Sequence, residues 1–151
     1  MATESKWKVV PKKIVIFNLS MCLIIFYAVY YMASSICFGI FRLSHFDGLM
    51  PFNFKVKPAW SGEFLACLVS TDVTCFICGI LFTSFVKHWI WDYATSTIII
   101  HIIVTSAVMR AFPLVWQWWT VLGSGLALMV VTGQLLAALV YTTGTEKLEI
   151  T

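Results

Sequence analysis

The sequence predicts an all-α fold, an integral membrane bundle of four transmembrane helices. Of the 151 residues, 60% are hydrophobic and only 11% are charged, whereas soluble domains carry about 25% charged residues. The mean hydropathy is +0.90. The charged residues are also clustered, so that they leave four long apolar segments. Because a helix needs about 20 apolar residues to cross a hydrocarbon core roughly 30 Å thick, we expect one membrane domain over residues 1–151.

The charge pattern places the four spans in order along the chain. No charged residue lies between Lys13 and Arg42, and Asp72 alone interrupts the second apolar segment. The third segment ends before Arg110 and Pro113, because proline disrupts a helix interior. The spans are predicted at about 14–41, 64–86, 93–109 and 119–141.

The longest predicted loop follows the first span. Its apolar residues alternate with polar ones, as shown by Phe52, Asn53, Phe54, Lys55, Val56 and Lys57. Such a segment is expected to lie along the membrane surface, with its apolar side facing the lipid and its lysines at the headgroups.

Basic residues predict the orientation of the bundle. With four spans, one side holds six of them, namely Lys6, Lys8, Lys12, Lys13, Lys87 and Lys147. The other side holds four, namely Arg42, Lys55, Lys57 and Arg110. Since loops rich in lysine and arginine remain cytosolic, both termini are predicted to face the cytosol. The N-terminal lysines are therefore interpreted as a topology signal, and nucleic acid is not an expected partner.

Two polar side chains stand out inside the spans, Asp72 in the second and His101 in the third. Charged groups near the bilayer centre are costly and usually pair inside the bundle. If spans two and three form a hairpin, Asp72 lies about fifteen residues before its turn and His101 about thirteen after it, which gives nearly equal depths at 1.5 Å per residue. We therefore predict an intramembrane polar pair. A structural hydrogen bond worth roughly 1 kcal/mol is favoured over a proton relay or ion site.

The fourth span carries small residues at four-residue spacing. The predicted helix-packing face comprises Gly125, Gly133 and Ala137, with Met129 between them. Gly123 and Ala127 form another small pair. Small residues let helix backbones approach closely within lipid. Packing within the bundle is the favoured interpretation, and self-association is the alternative.

No arrangement of residues typical of an enzyme is present in the sequence. A glycine-rich phosphate loop is absent, and no serine or threonine is accompanied by a recognisable base and orienting group. The sequence therefore predicts a protein that is not an enzyme, with no catalytic residue, no cofactor and no metal site.

The order of several residues resembles the Sys family of Golgi membrane proteins. In the second half of the chain the resemblance rests on Asp92, Tyr93, Thr97, His101, Arg110, Phe112, Pro113, Trp118, Trp119, Ala127, Leu128, Met129, Gly133 and Glu146. Upstream it rests on Val29, Tyr30, Tyr31, Thr74 and Cys75. Asp72 and Gln134 depart from the family pattern, which has a small apolar residue and an acid at these positions.

The resemblance implies a multi-pass protein of the trans-Golgi network membrane. It further implies a receptor that helps to recruit an Arf-related small GTPase, with a role in Golgi–endosome vesicle traffic and in localising proteins to the Golgi. Besides the lipid bilayer, that GTPase is the partner implied. The alternative function is a small transporter, channel-type bundle or accessory subunit that uses Asp72 and His101.

Overall fold

The structure consists of four long helices. The computed structural model describes residues 11–44, 48–49, 52, 61–86 and 89–149. For residues 146–149 it describes the backbone alone. The helices are α1 (Lys12–Ile40), α2 (Gly62–Phe85), α3 (Ile90–Val108) and α4 (Trp116–Glu149). Each is long and apolar enough to cross a membrane, and the described residues contain no strand. The predicted four-helix membrane fold is thus confirmed, although α4 continues beyond the predicted end at Tyr141.

Several sequence predictions concern residues outside this description. They involve the N-terminal tail up to residue 10, most of the first loop, and the turn at Lys87 and His88. Between residues 45 and 60 of the first loop, only Gly48, Leu49 and Phe52 are described.

The ends of α1 and the start of α2 follow from local chemistry. Pro11 precedes α1, where its missing N–H costs nothing because the first helical N–H groups have no partner within the helix. At the other end Arg42 adopts a left-handed conformation (φ 51°), and the Leu43 amide donates to the Phe38 carbonyl at 3.1 Å. This six-residue closure terminates the helix. α2 begins after Ser61, whose hydroxyl accepts from the Phe64 amide.

The connection from α3 to α4 is similarly fixed. Arg110, two residues after the end of α3, adopts a left-handed conformation (φ 48°). The Trp119 indole N–H then donates to the Pro113 carbonyl at 2.8 Å, and Trp118 packs edge-to-face on Trp119. These contacts hold the start of α4 against the connection that precedes it.

α2 lies between α1 and α4, and α3 packs mainly on α4 and α1 rather than on α2. α2 approaches the backbone of α4 closely at Gly79, where an added Cβ would lie 2.8 Å from the Met129 carbonyl oxygen. Phe26, Phe82 and Met129 are completely buried in the common core. This arrangement decides which neighbours the polar side chains within the bundle can reach.

Candidate functional site within the membrane bundle

His101 occupies the centre of an aromatic cluster. It is 2% exposed, and its Nδ1 atom lies 3.2 Å from the Tyr27 hydroxyl of α1. The ring centroids of Phe26 and Trp118 lie 5.4 and 6.5 Å from that of the imidazole. His101 therefore links α3 to α1 by a hydrogen bond, while aromatic side chains from α1 and α4 enclose its ring.

Phe52 of the first loop joins this cluster. The Phe52 ring centroid lies 5.8 Å from that of Tyr27 and 5.9 Å from that of His101. Nearby, the Tyr31 hydroxyl donates to the Gly48 carbonyl at 2.9 Å. At Phe52 the loop thus contacts both α1 and α3. The rest of the segment predicted to lie along the membrane surface, residues 53–57, is outside the described residues.

A second polar contact joins α1 to α2. The hydroxyls of Tyr30 and Thr71 are 2.9 Å apart, and Thr71 also lies 2.8 Å from the Cys67 carbonyl oxygen. A threonine hydroxyl has one proton, and the carbonyl can only accept it. Tyr30 is therefore the donor to Thr71, and both polar groups are satisfied inside the bundle.

A small cavity lies beside these contacts. The space open to the centre of a water molecule inside it is about 30 Å³. Its lining includes the polar side chains of Tyr30, Thr71, His101 and Gln117, together with apolar residues of α2 and α4. A site of one water needs roughly 10–15 Å³ on this measure. The cavity therefore has room for about two water molecules, and its chemistry suits them.

Asp72 belongs to a different interface. Its Oδ1 atom lies 3.2 Å from the Ser124 hydroxyl of α4. Asp72 is half-buried and Ser124 is exposed, so this contact lies at the edge of the α2–α4 interface and not in the core.

The predicted pair of Asp72 and His101 is not formed. Within the described part of the chain, Asp72 bonds to Ser124 and His101 bonds to Tyr27, and no hydrogen bond or ion pair joins the two. Equal depth fixes the height of a side chain in the bundle, but it leaves open the direction in which the side chain points. Because α3 packs on α4 and α1 more than on α2, the two groups meet other helices.

The predicted packing face on α4 points mainly toward α2. An added Cβ at Gly125 would lie 2.8 Å from the Cys75 sulfur. At Gly133 it would lie 2.8 Å from Ile90 of α3, and the Gly133 carbonyl accepts from the Thr83 hydroxyl at 3.2 Å. Ala137 is partly buried against the core. The structure thus places these three residues inside the bundle.

Sequence reasoning missed the partners of both polar residues. Tyr27 shares one face of α1 with Tyr30 and Tyr31, at the three- and four-residue spacing of neighbours on a helix surface, so this cluster could have indicated a polar contact. Ser124 lies between two glycines and gave no such signal. The contact of Phe52 depends on how the loop folds back.

The described residues contain no group of three or more histidine, cysteine, aspartate or glutamate side chains that could hold a metal ion. The five cysteines are free thiols. What the arrangement offers chemically is hydrogen bonding and close packing between helices.

Comparison with known proteins places the bundle in a family. Residues 3–142 match the model of the SYS1 family, described as an integral membrane protein linking to the trans Golgi network. The chain is also similar to transmembrane protein 244 of Homo sapiens, with 43% identity over 117 residues that cover 77% of this chain and 91% of that protein. No solved structure matches the chain. Since the family match extends over all four spans, the chain belongs to the SYS1 family of integral membrane proteins linked to the trans-Golgi network.

Proposed function

We propose that this protein is a membrane receptor of the trans-Golgi network that helps to recruit an Arf-related small GTPase. In this role it supports Golgi–endosome vesicle traffic and the localisation of proteins to the Golgi, by binding and without catalysing a reaction. The observation that carries the proposal is the family match over residues 3–142. The GTPase is the partner implied by the resemblance to the Sys proteins.

The C-terminal part of α4 offers a surface for such a partner. α4 has 34 residues, which corresponds to about 51 Å at 1.5 Å per residue. A hydrocarbon core is about 30 Å thick, so the helix extends well beyond it. The residues after Tyr141 include Thr142, Thr143 and Thr145, whose side chains are exposed. With both termini in the cytosol, as the basic residues predict, this helical extension would stand where a cytosolic GTPase can reach it.

The experiment depletes the protein in cells and restores it in tagged form. The full chain should overlap trans-Golgi markers and return the GTPase to membranes. A chain truncated after Tyr141 should reach the same compartment but recruit less GTPase. Gly39→Ala, which alters an open position near the end of α1, serves as the control and should behave as the full chain.

The two parts of the proposal fail separately. A uniform plasma-membrane distribution of the full chain would contradict the location. Golgi residence with an unchanged GTPase distribution would contradict recruitment alone.

The transporter or channel alternative finds no support in the geometry. It requires Asp72 and His101 to act together, whereas each is bonded to a different helix.

A further inference from the structure

The most unusual polar group of the bundle lies on its outer surface. Asp72 is near the middle of the 24-residue α2, and it is only half-buried. On the same helix Val69, Val73 and Phe76 are 36–46% exposed, which places Asp72 at the boundary between the lipid-facing side of α2 and its contact with α4. A carboxyl group is therefore accessible from the bilayer near its centre, where ionisable groups are costly and mark functional sites.

The hydrogen bonds available to this carboxyl group are too few. Ser124 is its one hydrogen-bond partner among the described residues. The Ser124 hydroxyl also lies 2.9 Å from the Val121 carbonyl oxygen. Since a serine has a single proton, it cannot donate fully to both oxygens at once. An ionised carboxylate can accept about four hydrogen bonds, so Asp72 retains unused capacity to accept.

The neighbouring surface of α4 is built from small side chains. Thr120, Gly123, Ser124 and Ala127 are all exposed, at spacings of three and four residues that place them on one side of the helix. An added Cβ at Gly123 would meet nothing within 4 Å. Gly125 and Gly133 are already used against α2 and α3, whereas this second set of small residues remains exposed, with Ser124 bonded to Asp72 at its edge. Small residues at a lipid-facing surface allow another helix to approach closely.

We propose that Asp72, Thr120, Gly123, Ser124 and Ala127, together the Asp72 face, bind a transmembrane helix of another protein that carries a lysine or arginine at the depth of Asp72. The cation on that helix would form an ion pair with the Asp72 carboxylate and donate hydrogen bonds to it. The small residues would let the backbone of that helix pack closely against α4. The inference is independent of GTPase recruitment, because it concerns the membrane interior and not the cytosolic surface.

A second copy of this chain does not fit the Asp72 face. The four spans contain no lysine or arginine. None is present in the sequence at 14–41, 64–86, 93–109 or 111–145. Another copy would therefore bring no cation to the middle of the bilayer. If two copies met through this face, their Asp72 carboxylates would be like charges.

The test uses the full chain in liposomes with designed partner helices. Each probe is a transmembrane peptide of leucine and alanine of about 23 residues, long enough to span the core. One probe carries a single lysine at its midpoint, a second carries leucine there, and a third carries the lysine two turns, or about 11 Å, nearer one end. Association is measured by energy transfer between labelled protein and labelled peptide.

The midpoint-lysine peptide should bind about tenfold more tightly than the leucine peptide, in line with the strength of polar contacts between transmembrane helices. The shifted lysine should lose most of this preference, and so should Asp72→Asn. Ala127→Leu should weaken binding by filling the Asp72 face, whereas Ala28→Leu, the same enlargement on the exposed side of α1, should not. Should Asp72→Asn fail to fold, the three peptides and the Ala127→Leu variant still decide the question on folded protein.

Equal binding of the midpoint-lysine and leucine peptides would overturn the proposal. So would energy transfer between differently labelled copies of the chain that disappears in Asp72→Asn, because the occupant would then be a second copy.

Discussion

Replacing Gly79 by alanine should destabilise the bundle more than the same change at any other glycine of the α2–α4 contact. The added Cβ would lie 2.8 Å from the Met129 carbonyl oxygen and 3.1 Å from the Thr132 Cβ. Both distances are shorter than the 3.5–4.0 Å optimum for carbon contacts. Because the nearest atom belongs to the backbone, relief requires α4 to move away from α2 as a whole.

Comparison with the other glycines sets the magnitude. Gly125→Ala would meet the Cys75 sulfur at 2.8 Å, but that side chain can rotate. Gly123→Ala would meet nothing within 4 Å. All three changes gain the same helix propensity, about 1 kcal/mol in water, so this gain cancels when they are compared. Overpacking typically costs about 1–3 kcal/mol. We therefore expect the free energy of unfolding of Gly79→Ala to be lower than that of Gly123→Ala by an amount in this range. The value for Gly125→Ala should lie between the two.

The measurement is the free energy of unfolding in mixed micelles, obtained by titration with a denaturing detergent and followed by tryptophan fluorescence. Circular dichroism before the titration verifies that each variant starts helical. If Gly79→Ala is as stable as Gly123→Ala, the α2–α4 contact is looser than described and the reasoning fails.

The same assay tests the polar contacts. Tyr27→Phe should cost roughly 1 kcal/mol, and a double-mutant cycle with His101→Ala should give a non-zero coupling energy; an additive result would mean that no hydrogen bond joins the two. Asp72→Asn and His101→Ala should be additive, because the residues have separate partners, and a coupling above about 0.5 kcal/mol would contradict their separation. Trp119→Phe should cost about 1 kcal/mol by removing the donor to Pro113, and unchanged stability would show that this bond is dispensable. Tags at both termini should be accessible to antibody after selective permeabilisation of the plasma membrane, and a tag seen only after the Golgi membrane is opened would disprove the predicted orientation.

The fold was predictable because the bilayer imposes a length on apolar segments. Four such segments appear in the sequence, and Pro113, expected after the end of the third span, lies in the connection between α3 and α4. The prediction stopped α4 at Tyr141, since the residues that follow are polar and do not belong in lipid. Polar residues do not extend a membrane-spanning segment, but they can continue a helix outside the lipid. α4 therefore continues to Glu149.

The sequence indicated which polar residues stand out within the spans, but not which side chains they contact. Asp72 and His101 stand out because ionisable groups are rare in apolar segments. Their partners depend on the rotation of each helix about its axis and on which helices are adjacent, and the hydrophobicity of a lipid-facing side differs little from that of a core-facing side. With 16% aromatic residues, no single tyrosine could be assigned to His101, and the contact of Phe52 depends on the path of a loop.

The unequal helix lengths have a consequence for the surrounding membrane. α3 has 19 residues and α1 has 29, which correspond to about 28 and 43 Å at 1.5 Å per residue. One side of the bundle thus matches the thin bilayer of the endoplasmic reticulum, about 27 Å, whereas the other is long enough for the plasma membrane, about 32–33 Å. In any one compartment the lipids must thin next to α3 or the longer helices must tilt. Such hydrophobic mismatch sorts proteins among membranes of different thickness, and a bundle with both lengths suits a compartment between these extremes.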